Sequence, residues 1–278
     1  MPYKTLISAA QLQAEFIAGT PLLVLDCGFD LSDTGAGERA YAAAHLPLAR
    51  YVHLDRDLSA PKTGRNGRHP LPSRDVWAGR VGEWGIAPGT TVVCYDDQGG
   101  VYAARAWWML KWLGHSAVAV LDGGRAAWMA QGGAMVTTPA NAAAQPPYPA
   151  QAAGMPTVGA DELLARLGEL TVLDARAPER FRGEVEPLDP VAGHIPGATC
   201  HFFKDNLAAD GRFKSAAELR ASFARWSEAG EVVHQCGSGV TACHNLLAMA
   251  HAGLKPGTLY GGSWSEWCSD PARPVAKG

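Results

Sequence analysis

Residues 231–253 read EVVHQCGSGVTACHNLLAMAHAG, a short apolar strand, a glycine-rich loop and an unbroken helical run. Val232 and Val233 end the strand. From Thr241 to His251 there is neither Gly nor Pro, and Leu246, Leu247 and Ala250 fall at helical spacing before Gly253 stops the helix. Cys236 therefore stands in a tight strand-to-helix loop. Gly237 and Gly239 let that loop curl and turn several N–H groups toward a common centre above the sulfur. A thiol at a helix N-terminus loses its proton more readily than a free one, so the pattern predicts a nucleophilic thiolate in an anion cradle. A cysteine that only fills a core has no use for Gly-Ser-Gly immediately after it.

Outward from this stretch the sequence repeats. Leu22–Cys27 (LLVLDC) answers Leu170–Ala175 (LTVLDA), and His45-Leu46-Pro47 answers His194-Ile195-Pro196. Val92-Val93 answers Val232-Val233, Gly114 answers Gly253, and Gly123-Gly124 answers Gly261-Gly262. The offsets of 148, 149, 140, 139 and 138 drift gently without scattering, which indicates a duplicated domain. In each copy, strand-like runs alternate with helical segments such as Arg105 to Leu113 and Ala216 to Trp226. The fold class is α/β, with two tandem units, each a mostly parallel sheet carrying helices on both faces. Ligands in such sheets bind at the carboxyl ends of the strands, where the Val232 strand delivers Cys236.

The boundaries follow from composition. Residues 136–156 contain five prolines and no charge, which predicts an extended connector between an N-terminal unit at 1–135 and a C-terminal unit at 157–278. In the first unit Asp96-Asp97-Gln98-Gly99-Gly100-Val101 replaces the cysteine loop. Acidic side chains repel an anionic substrate and no thiol is present, so this copy is expected to be catalytically silent. Cys94, two residues earlier on the strand, reads as core.

The chain has 278 residues, ample for two domains, with 47% hydrophobic and 18% charged residues. A net charge of −3 carries no electrostatic footprint for nucleic acid. No apolar run of about 18 residues occurs and the N-terminus does not read as a signal peptide, so a cytoplasmic protein without membrane contact is expected. The six cysteines are too sparse for a secreted disulfide framework and are expected to be reduced. Cys236, Cys243, His244 and His251 lack the ligand spacing of a zinc site, no metal is expected, and the two histidines read as helix-surface residues.

The segment Cys236-Gly237-Ser238-Gly239-Val240-Thr241 resembles the active-site loop of the two-domain sulfurtransferases of the rhodanese superfamily. It is closer to the 3-mercaptopyruvate form than to the thiosulfate form, which carries basic residues just after the cysteine. The resemblance covers nearly the whole chain. It implies a cysteine that takes sulfur from a small donor as a persulfide and passes it to a thiol, a thioredoxin-like protein or cyanide, with no cofactor. Gly237, Gly239, Val240 and Thr241 would then cradle the donor. The segment from Asp174 to Gly183, with Glu186-Pro187 and Gly193-His194-Ile195-Pro196-Gly197, carries the same resemblance. It implies that Arg180 binds the donor carboxylate, as suits a planar fork meeting a planar acid. A second family arginine is expected after Glu-Pro, where this chain has Leu188, and Arg182 is the candidate to replace it. The resemblance further suggests that Ser238 works with His69, supplied by the first unit in Gly67-Arg68-His69-Pro70-Leu71-Pro72, and that Asp55 orients His69. Asp26 and Asp174 occupy equivalent points in both units and read as loop architecture, while Trp264 and Trp267 read as packing or as pocket wall. A persulfide carrier for a partner protein is the alternative function. A phosphatase of the same fold would need Arg at position 242, which is Ala242.

Overall fold

The computed structural model describes residues 3–227 and 230–278. Two compact units are present, one comprising Met1–Ser59, Pro72–Gly154 and Ala209–Phe213, the other Ala60–Leu71, Met155–Ala208 and Lys214–Gly278. The units therefore do not follow the halves of the sequence strictly. Residues 60–71 belong with the second unit, and most of the proline-rich connector belongs with the first. That connector is tied down: the Gln145 N–H donates to the Gly82 carbonyl at 2.8 Å and the Tyr148 N–H to that of Ala78 at 2.9 Å.

The first unit is built on strands β1 (Leu6–Ile7), β2 (Leu22–Asp26), β3 (Ala49–Tyr51), β4 (Thr91–Tyr95) and β5 (Val118–Leu121), in the order β1-β5-β4-β2-β3. The second uses β6 (Thr171–Asp174), β7 (Thr199–Cys200), β8 (Val232–Gln235) and β9 (Thr258–Leu259), in the order β7-β6-β8-β9. Every pairing between these strands is parallel. Successive strand residues point to opposite faces, yet Val24 and Leu25 are both fully buried, as are Val92 through Tyr95. Both faces of the central strands are thus covered, which is why they read as continuous apolar runs and not as alternating ones.

The duplication is visible in geometry as well as in letters. His45 stacks on Tyr41 and His194 on Phe181, each pair with ring centroids 3.9 Å apart and 12° between planes. In each pair the histidine Nδ1 also meets the partner's carbonyl, at 2.7 and 2.8 Å. Asp26 accepts the Gly28 N–H at 3.0 Å and Asp174 the Arg176 N–H at 2.9 Å, so these two aspartates shape equivalent turns after β2 and β6.

Trp264 and Trp267 are fully buried among Val172, Ile195, Val233 and Tyr260, so packing is what they do. His244 differs from its reading as a surface residue. It is fully buried on the helix Thr241–His251, where its Nδ1 meets the Asn206 amide at 3.1 Å and its ring lies edge-on to Phe203. Helical periodicity marks one apolar stripe, but this helix buries eight consecutive residues, Ala242 to Met249, so its polar side chains are satisfied inside the unit.

Candidate active site

β8 ends at Gln235 and the next residue, Cys236, is only 2% exposed. The loop curls back on the sulfur, and the Gly239 N–H points at Cys236 Sγ over 3.2 Å. Gly239 has φ +78°, and a Cβ there would stand 2.3 Å from the Gly261 carbonyl oxygen, so both backbone angle and space demand glycine. From Thr241 the helix begins, with Val240 as its N-cap. The loop is pinned from the far side by Ser263, whose Oγ accepts the Cys236 N–H at 3.1 Å. The Trp264 and Ser265 N–H groups donate to the Cys236 and Gly237 carbonyls at 3.0 and 2.9 Å. Ser263 has φ +53°, a left-handed backbone that a non-glycine residue adopts only when its surroundings impose it.

His69 and Ser238 come together. Nδ1 of His69 and Oγ of Ser238 are 2.7 Å apart, and both side chains are buried. His69 was expected to be supplied by the first unit. It belongs instead to the compact unit that holds Cys236, because residues 60–71 are part of that unit. Asp55 sits in the first unit, on the short helix Leu54–Asp57, where its N–H and that of Arg56 are capped by His53 Nδ1.

Three arginines are held by three acids. Arg176, nearly unexposed, forks onto Asp174, donates to the Gly193 carbonyl at 2.8 Å and lies over the Trp264 ring at 4.8 Å. Glu186 takes Arg176 Nη1 at 3.4 Å and Arg180 in two bonds, Nε at 3.2 Å and Nη2 at 2.7 Å. Asp189 binds Arg68 and also takes Arg180 Nη2 at 3.4 Å. Held this way, Arg68 and Arg180 both reach Gly237. A methyl group on Gly237 would lie 2.8 Å from Arg68 Nη2, and 3.4 and 3.5 Å from Arg180 Nη1 and Nη2. Arg182 does not join them, because its Nε and Nη2 fork onto Glu184 at 2.7 and 2.8 Å at the surface. Leu188 is 44% exposed. Arg68, Asp189 and Ser263 were not singled out in the sequence. The one available signal for Arg68 was its place beside His69.

The first unit's loop is built on the same plan and filled differently. Asp96 directly follows β4 as Cys236 follows β8. Its carboxylate turns inward and accepts four backbone N–H groups, Gln98 and Gly100 at 2.8 Å on Oδ1, Tyr102 at 2.8 Å and Ala103 at 2.9 Å on Oδ2. Burial pushes its pKa up, against these four bonds that favour the charged form. Among the described residues no group of three or more His, Cys, Asp or Glu side chains could hold a metal ion, and no helix is long and apolar enough to cross a membrane.

A parallel α/β unit that presents a buried cysteine in a curled loop at a helix N-terminus, with arginines beside it, defines a thiol enzyme acting on small anions. Comparison with known proteins narrows this. The rhodanese-like domain family matches residues 8–131 and again 159–270. The chain is 50% identical over 281 residues to a probable 3-mercaptopyruvate sulfurtransferase of Pseudomonas aeruginosa, covering 98% of each chain. It is 41% identical over 288 residues to a putative thiosulfate sulfurtransferase of Mycobacterium tuberculosis, covering 99% of this chain and 98% of that one. Among solved structures, 3-mercaptopyruvate sulfurtransferase from Leishmania major superposes with a TM-score of 0.84 at 30% identity, over 95% of this chain and 74% of that one. The chain belongs to the rhodanese family, with two rhodanese-like domains, and it is a sulfurtransferase.

Proposed function

We propose that the enzyme takes sulfur from 3-mercaptopyruvate in preference to thiosulfate, holds it as a persulfide on Cys236, and yields it to a small thiol, a thioredoxin-like protein or cyanide in the cytoplasm. The observation that carries this reading is the Arg180 guanidinium beside Gly237, one residue from the cysteine, in a loop without basic side chains. Glu186 and Asp189 take Nε and Nη2 of Arg180, so its Nη1 is directed at the carboxylate of a donor, whereas the dianion of thiosulfate is better served by cations on the loop itself.

The Cys236 thiolate attacks the donor sulfur. The S–S bond forms as the C–S bond breaks, and the electron pair passes into the keto acid as pyruvate enolate, which takes a proton to become pyruvate. Ser238 and His69, 2.7 Å apart, are the pair that moves that proton. The acceptor thiolate then attacks the outer sulfur and Cys236 leaves as thiolate. The Gly239 N–H is placed to stabilise negative charge on the sulfur throughout. The first unit, whose loop has no thiol, takes no part in the chemistry. At 2% exposure Cys236 suits a small donor better than a docking protein, which sets the carrier reading second.

The test is intact-protein mass spectrometry after treatment with donor, together with steady-state kinetics on both donors. Wild type should gain one sulfur and show the higher kcat/KM for 3-mercaptopyruvate. Cys236→Ser should gain none and lose all transfer, while Cys94→Ser and Cys243→Ser retain most of theirs. Sulfur retained by Cys236→Ser removes the nucleophile assignment, and preference for thiosulfate removes the donor assignment.

A further inference from the structure

The second arginine that the family resemblance leads one to expect at position 188 is absent, and Leu188 there is 44% exposed. Asp189, with a side chain 3% exposed, binds Arg68 through Oδ1 and Arg180 Nη2 through Oδ2. One carboxylate thereby aligns two guanidinium groups from distant parts of the sequence. The Arg68 backbone is fixed as well: its N–H donates to Ser265 Oγ at 3.0 Å, and the next side chain, His69, is bonded to Ser238. Gly67, before it, has φ +84° and lies so close to the Gly262 carbonyl that a Cβ would stand 2.7 Å from that oxygen. The Arg68 side chain remains 25% exposed and its Nη2 reaches the space over Gly237 that Arg180 Nη1 also reaches.

We propose that Arg68 is the second donor-binding arginine of this enzyme. With Arg180 it grips the carboxylate of a 2-oxo acid donor beside Cys236, and Asp189 is the residue that positions both. The inference rests on the 3-mercaptopyruvate reading above and extends it to a specificity-determining residue. Asp189 engages Nη1 of Arg68 and Nη2 of Arg180, and Glu186 engages Nε and Nη2 of Arg180. Arg68 Nη2 and Arg180 Nη1 are therefore the two amino groups these acids leave for a donor. Two amino groups on separate forks define the orientation of a planar carboxylate more tightly than one fork does.

Pyruvate, the keto acid that the donor leaves behind, serves as an equilibrium probe that needs no turnover. Its Kd should be measured by titration calorimetry for wild type, Arg68→Gln and Arg68→Lys, beside the KM and kcat for 3-mercaptopyruvate. For Arg68→Gln the expectation is a rise of about tenfold in both Kd and KM, with kcat within about threefold, the pattern of lost binding rather than lost chemistry. Arg68→Lys keeps the charge and the pairing with Asp189 but loses the fork, and should weaken pyruvate by about fivefold. Pyruvate Kd and KM unchanged in both variants overturns the inference. If Arg68→Gln fails to fold by circular dichroism, Arg68→Lys decides alone. Wild type that does not turn over 3-mercaptopyruvate would instead sink the donor reading, and Arg68 would still stand or fall on the pyruvate titration.

Discussion

The loops after β4 and β8 share a backbone plan and differ in what they close upon. In the first unit Asp96 supplies its own anion to four amides of its loop, whereas in the second Cys236 Sγ takes the Gly239 N–H. A curl of backbone amides is thus a neutral device with two uses. Filled by a side chain it becomes an internal brace, and built around a thiol it becomes a place where a sulfur anion is tolerated. The absence of a cysteine from one copy of the loop did not require the loss of the loop.

Removing the brace is the most drastic way to break this comparison. Asp96→Ala leaves four buried amides without their acceptor, and urea unfolding should report a loss of about 3 kcal/mol or more. Donor treatment of that variant should add sulfur only at Cys236. Unchanged stability would mean that the carboxylate is incidental. The glycines before the two helices give a finer contrast. Gly239→Ala meets a backbone carbonyl at 2.3 Å, which cannot yield, and should cost about 2 kcal/mol together with most of the activity. Gly100→Ala, at φ +90°, meets only the edge of Phe213 at 3.2 Å, so it should cost about 1 kcal/mol of backbone strain and leave turnover near wild type. Equal losses of activity in the two variants would show that the loops are coupled.

The smallest difference is expected in acid. Burial pushes His115, bonded to Tyr148 in the first unit, down to about 4, and His234, on β8 of the second, down to about 3. An unfolded chain protonates these histidines near pH 6.5, so between 6.5 and the folded values the unfolded state binds more protons and stability falls as pH falls. From pH 6.5 to 5.5 the loss should be about 1 kcal/mol for each histidine. His115→Gln should flatten the acid limb of the first unit alone, which denaturation monitored at several pH values will show.

Much of this was legible in the sequence because the informative residues were close together. Gly237 and Gly239 beside Cys236 announced a curled loop, and the drift of offsets announced two copies. What escaped notice depended on side-chain direction or on contacts between distant positions. Asp96 reads in the sequence as a charge that repels an anionic substrate, and nothing in its neighbours shows that it turns in. Arg68 stands beside His69 in the sequence, but no local pattern ties it to Asp189 or Gly237. His244 was misjudged because helical spacing reports one stripe and cannot reveal a helix packed on most sides. β1, β3 and β7 have two or three residues each, too few for a period to show.

Residues 60–71 have a consequence for how such a protein can arise and be divided. Arg68 and His69 are encoded in the first half of the duplicated gene yet belong to the compact unit of the second. A gene split at the proline-rich connector would give one fragment holding Cys236 and Ser238 and another holding His69, which bonds Ser238. The copy whose loop lacks a cysteine thus encodes two residues of the other copy's compact unit.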